Sequence, residues 1–129
     1  LQTLILQHNV LTKFPILHCT KESLISLILN HNNIKKINKT HLWNMTVLEE
    51  LNVAHNDLDQ FPFDILSLMP ALRDLDLQGN NFHEISDIRP YLVSPGLSID
   101  VSNMDIPCDC KLCLMLEVIS SHIISYTIL

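Results

Sequence analysis

The side chains with chemical potential in this sequence fall into columns. His8, His31 and His55 follow one another at steps of 23 and 24 residues. Imidazole is the side chain whose ordinary pKa lies nearest neutrality, so three in register suggest metal ligation or a proton-sensitive column. Three strands are a wide span for one ion, whereas neighbouring rings readily sense each other's charge. The column is therefore read as pH-sensitive, with no metal expected. Protonating all seven histidines would carry the net charge from −6 towards +1. Carboxylates recur in the same way: Glu50 and Asp74 share one register, Asp76 and Asp100 another, each pair 24 residues apart. Two carboxylates such as Asp74 and Asp76 can divide acid and base roles only in a pocket that raises one pKa; an open face keeps both solvated. With two glycines, Gly79 and Gly96, there is no Gly-rich phosphate loop, and no G-x-S-x-G arrangement places Ser, His and Asp. No catalysis and no cofactor are expected.

Sulfur forms a third cluster. Cys108, Cys110 and Cys113 bring three thiols within six residues, but no fourth ligand stands at a familiar zinc spacing. They are either free, or one of Cys108 and Cys110 pairs with Cys113. Cys19 is expected to be a small buried apolar residue rather than a nucleophile.

These residues must be positioned by a repeating scaffold. Units starting at Leu1, Leu24, Leu48 and Leu72 follow at steps of 23, 24 and 24 residues. Counting each start as place 1, aliphatic residues occupy places 4 and 6: Leu4 and Leu6, Leu27 and Leu29, Leu51 and Val53, Leu75 and Leu77. Asparagine holds place 9 each time, at Asn9, Asn32, Asn56 and Asn80. Apolar residues follow at place 11 (Leu11, Ile34, Leu58, Phe82) and place 14 (Phe14, Ile37, Phe61, Ile85). Alternation over places 4 to 6 predicts a short strand with one buried face. The asparagine then turns inward, where an amide that both donates and accepts can satisfy turn backbone from which water is excluded. One unit cannot bury its apolar side alone, so the units must stack.

The pattern LxxLxLxxNxL over residues 1 to about 94 resembles the leucine-rich repeat. That resemblance implies an α/β fold: a right-handed solenoid, or horseshoe, with a parallel concave sheet and a short C-terminal capping helix. Two regions are expected, 1–95 carrying the repeats and 96–129 carrying a degenerate last repeat and the start of a cysteine-rich cap. In that last unit Gly96 stands at the first leucine place and Met104 at the asparagine place, while Ile99 and Val101 keep the strand. Pro107-Cys108-Asp109-Cys110 resembles the cysteine-rich flank of extracellular members of the family. The match is incomplete: Leu114 stands where the flank has a Trp, Cys113 is extra, and two downstream cysteines are missing. The sequons Asn38-Lys39-Thr40 and Asn44-Met45-Thr46 both fall in the return segment of the second unit, which fits glycosylation of a secreted protein.

Composition closes off other classes. The chain has 129 residues, 47% of them apolar and 17% charged, which suits one folded domain rather than a disordered tail. A net charge of −6, no basic run beyond Lys35-Lys36 and 5% aromatics argue against nucleic acid. The most apolar stretch, Leu112 to Leu129, is broken by Glu117, His122 and four Ser or Thr residues, and reads as a cap with an extended tail. The opening Leu1-Gln2-Thr3-Leu4 lacks the features of a signal peptide. A piece of a longer protein is expected, with membrane attachment only through segments outside this chain.

Function is expected on strand positions that face away from the core. Places 2 and 5 expose Ile5, Ile25 and Ile28 in the first two units, and later units expose Glu50, Asp74, Asp76 and Asp100. Charge follows the same split: residues 1–46 hold five Lys against one Glu, and residues 47–129 hold three basic and thirteen acidic residues. The expected partner is a protein ligand or co-receptor, gripped by the isoleucines and selected by the carboxylates, at an extracellular or cell-surface location. A non-catalytic docking subunit of a secreted complex and a structural spacer without a ligand are the alternatives.

Overall fold

The computed structural model describes residues 1–94, 96–106 and 124–125. Six parallel strands lie side by side in chain order: β1 Thr3–Ile5, β2 Ser26–Ile28, β3 Glu50–Asn52, β4 Asp74–Asp76, β5 Ser98–Asp100 and β6 Ile124–Ser125. The register is the one the repeat dictates, with Leu4, Leu27, Leu51, Leu75 and Ile99 aligned across successive pairs. Each strand is short because only places 3 to 5 are extended. The outer returns hold one helical turn, α1 at Lys39–Leu42, and two 3₁₀ turns at Phe63–Leu68 and Arg89–Tyr91. The result is an α/β solenoid of stacked coils. No helix among the described residues is long and apolar enough to cross a membrane.

The core is one continuous column of the aliphatic places. Leu24, Leu27, Leu29, Ile34, Leu48, Leu51, Val53, Leu58, Leu72 and Leu77 are fully buried. Aromatic residues on the outer side, Phe61, Phe63 and Phe82, close it with edge-to-face contacts at 5.2 and 6.5 Å. The first unit is different: Leu4, Leu6 and Leu11, in and beside the edge strand β1, are only partly buried. The fifth unit also departs from the expected pattern. Gly96, expected at the first core place, is exposed in a left-handed conformation with φ +74°, and its neighbour Leu97 is buried in its stead. A glycine has no side chain to fill that site, so the next apolar residue does. Met104, at the asparagine place, is buried as well.

The asparagines hold consecutive coils together. Asn56 donates to the carbonyl of Val53 in its own unit and to that of Leu29 in the preceding one, both at 3.0 Å. Its side-chain oxygen accepts the Ile34 N–H at 3.0 Å. Asn32 and Asn80 repeat this pattern, reaching back to Leu6 and Leu11 and to Val53 and Leu58. Asn32, Asn56 and Asn80 are all buried, so each amide replaces water that cannot enter. Asn9 is exposed and bonds only within its own turn, to Leu6 and Gln7.

This contrast gives a measurable expectation. Asn56→Ala should cost about 2 kcal/mol in urea unfolding, since the Ile34 N–H loses its partner in a dry site, while the Leu29 and Val53 carbonyls each keep one donor, from Asn32 and Asn80. Asn9→Ala should cost under about 1 kcal/mol, because water can replace it.

Candidate functional site

The concave sheet presents two aligned columns. Place 3 runs Thr3, Ser26, Glu50, Asp74, Ser98, and place 5 runs Ile5, Ile28, Asn52, Asp76, Asp100. The four carboxylates singled out above, Glu50, Asp74, Asp76 and Asp100, meet in one shallow hollow of about 260 Å³, together with Asn52 and Ser98. Neighbouring strands lie about 4.8 Å apart, so like charges in a column repel and an added cation relieves them. The apolar end is less exposed than its sequence suggests. Ile5 is 58% exposed, but Ile25 and Ile28 are half-buried.

The carboxylates do not share one role. Asp76 accepts the Gln78 N–H at 3.1 Å through Oδ1, and the Gln78 side-chain amide at 3.1 Å through Oδ2. Asp100 accepts the Ser102 N–H at 2.9 Å and the Ser102 hydroxyl at 2.6 Å. Asn52 does the same for the Ala54 N–H at 3.1 Å. Place 5 in these units thus closes the turn that follows the strand, as Asx residues do. Glu50 and Asp74 in place 3 are exposed, and Glu50 accepts the Ser26 hydroxyl at 2.7 Å. Sequence reading missed the turn-closing role. Its signal was the run Asn52, Asp76, Asp100 at one place of three successive units.

The histidine column lies along the rim where strands pass into turns. His31 stacks face to face on His8 and on His55, with ring centroids 4.5 Å apart on either side and interplanar angles of 12° and 16°. Every residue of this column has a left-handed backbone: φ is 55°, 57° and 52° at His8, His31 and His55, 67° at Gly79 and 55° at Asn103. That is why Gly and Asn appear there, and His is among the residue types that tolerate the region. Gly79 has a second reason, since a Cβ on it would come within 2.3 Å of the His55 Nδ1. Loss of water lowers the pKa of His31 from its ordinary value, and the charges of His55 and His8 lower it further. Among the described residues no group of three or more His, Cys, Asp or Glu is placed to hold a metal ion.

The sequon asparagines lie on the outer side, and both are exposed. Asn38 precedes α1, where its N–H donates to His41 Nδ1 at 3.0 Å. That ring stacks on Phe14 at 5.0 Å, and burial, then Lys21, lowers its pKa. Asn44 sits in a left-handed turn with φ 66°. Lys39, within the first sequon, pairs with Asp64 of the next return. Cys19 is exposed, not buried as its residue type suggested, because it lies in a turn of the outer return before Leu24. Cys108, Cys110, Cys113 and the expected capping helix lie outside the described residues.

Comparison with known proteins bears on this architecture. The family model described as "Leucine rich repeat" matches residues 1–58 and 22–82. Tsukushi of Gallus gallus is 38% identical over 85 residues, which is 63% of this chain and 22% of that protein. Leucine-rich repeat serine/threonine-protein kinase 1 of Caenorhabditis elegans is 36% identical over 88 residues, 67% of this chain and 4% of that one. Leucine-rich repeats and immunoglobulin-like domains protein 1 of Homo sapiens is 30% identical over 80 residues, 62% of this chain and 7% of its own length. The chain therefore spans less than a quarter of each of these relatives. A leucine-rich-repeat protein of Leptospira interrogans superposes with a TM-score of 0.77 at 22% identity, over 95% of this chain and 30% of that one, a likeness of fold.

The rim geometry predicts an asymmetry between the two glycines. Gly79→Ala should lower stability by about 2 kcal/mol, through both the left-handed backbone and the collision with His55. Gly96→Ala, where a Cβ meets nothing within 4 Å, should cost about 1 kcal/mol by the same denaturation measurement.

Proposed function

The chain belongs to the leucine-rich repeat family, and from that premise we propose that its concave sheet binds a protein partner through a basic surface. A leucine-rich-repeat domain is a general protein-interaction module. The observation that carries the finer reading is the convergence of Glu50, Asp74, Asp76 and Asp100 in one hollow. Asp76 and Asp100 are partly committed to their own turns, so Glu50 and Asp74 are the carboxylates free to meet a cation. Ile5 supplies an exposed apolar contact at the other end of the sheet, with Ile25 and Ile28 contributing their half-buried flanks. Opposite charge steers the encounter, and a small number of desolvated contacts hold the complex. Catalysis has no part in this reading.

The proposed setting is a receptor ectodomain or a secreted protein. Support comes from the exposed sequons on the outer side and from relatives such as Tsukushi and the human protein with immunoglobulin-like domains. The repeat kinase is the relative that points the other way. Glycans at Asn38 and Asn44 would sit on the outer returns and leave the sheet open.

Two measurements test this. A Lys-rich peptide should bind in about 50 mM salt and lose at least tenfold in affinity by about 300 mM, as screened surface charges do. Glu50→Gln combined with Asp74→Asn should weaken low-salt binding by roughly tenfold, about 1.4 kcal/mol; unchanged binding would remove the hollow as the site. Expressed in a secreting eukaryotic cell, the chain should gain mass that N-glycosidase removes and that Asn38→Gln with Asn44→Gln abolishes. A chain secreted without that mass would overturn the glycosylation assignment.

A further inference from the structure

The histidine column and the acidic hollow are physically joined. The His55 backbone N–H donates to the Gln78 carbonyl at 2.8 Å, as His8, His31 and Gly79 do to the coil after each of them, and the His55 ring lies over Gly79, the next residue. The Gln78 side chain donates to the Asp76 carboxylate at 3.1 Å, and its oxygen accepts from the Asn103 amide at 3.4 Å. Asp76 lines the hollow. Gln78 and Gly79 thus lie between the rim and the charged face.

We propose that the stacked imidazole column gates the acidic hollow by pH, leaving it open to a basic partner at neutral pH and closing it in mildly acidic solution. This inference rests on the reading of the hollow as a site for a basic surface. The rings stack at 4.5 Å, each covering its neighbour's face. Protons arriving on adjacent rings set like charges at that separation, which favours splaying of the stack. The same protons place a cationic stripe beside the carboxylates and repel the partner those carboxylates attract. The titratable groups around the column are its own rings in neighbouring units, Asp76 across Gln78, and Asp57 in the turn after His55.

The sign of the stability effect follows from His31. Its folded pKa lies below the ordinary 6.5, so the unfolded chain binds more protons once pH falls beneath that value. Stability present above 6.5 is lost as pH drops through the folded-state pKa.

Ring NMR titration of the 129-residue chain tests the column directly. The control variant is His8→Asn with His55→Asn, because asparagine already occupies the left-handed position at Asn103. Removing both neighbours should raise the His31 midpoint; an unchanged midpoint would overturn the coupled column. Binding of the Lys-rich peptide at about pH 7.5 and about pH 5.5 tests the gate. The unsubstituted chain should lose roughly fivefold or more in affinity on acidification, and the triple His→Asn variant less than about twofold. Equal acid loss in both proteins would overturn the gate while leaving the binding site in place. Absence of binding at about pH 7.5 in both would overturn the acidic-surface reading on which the gate rests. Single His31→Asn, which should halve the acid response, serves if the triple variant does not fold.

Discussion

Backbone polarity in a dry interior is the constraint on which this molecule is built. Strands of three residues satisfy few groups by themselves, and each strand must be followed by a turn that faces the core. A turn buried without partners for its amides and carbonyls would cost more than the leucines around it return. The buried asparagine solves this with one side chain, donating to two carbonyls and accepting one amide across two coils. The leucine column and the sheet register both follow from that junction, because it fixes where each coil must begin its next strand.

The same economy explains the charged face. Where a unit has Asn or Asp at place 5, its side chain closes the following turn, and in Asp76 and Asp100 the carboxylate does so while still facing the hollow. Structure and recognition are therefore mixed in one column and separated in the next, where Glu50 and Asp74 carry charge without a turn to close. The isoleucines of the first two units lack an acceptor at place 5. Their strands keep the backbone ladder, with Leu6 N–H donating to Ile28 at 2.8 Å and Leu29 N–H to Asn52 at 2.7 Å.

Much of this was legible in the residues. The spacing of Leu4, Leu27, Leu51 and Leu75 gave the strands and their register, since buried places recur with the coil and nothing else places them. Convergence of the carboxylates followed from the same arithmetic. What escaped was set by backbone conformation. The rim column reads as three histidines and two unrelated residues until Gly79 and Asn103 are recognised as left-handed positions. Stacking of the rings depends on side-chain rotamers, which spacing cannot supply. At Gly96 a strict count assigned the core place to a residue with no side chain, and packing moved it one step to Leu97. For Cys19 the residue type was a poorer guide than its location in an outer turn.

The asparagine bonds also have a direction. Asn32 completes the turn containing Leu6 and Leu11, Asn56 the turn containing Leu29 and Ile34, and Asn80 the turn containing Val53 and Leu58. In every case the later coil finishes the earlier one. The bonds of the place 5 residues close within one coil, but the asparagine bonds wait for a coil made roughly two dozen residues later, so the newest coil is always the unfinished one. Met104 breaks that relay: the buried residue at the fifth asparagine place has no amide with which to reach back to the coil before it.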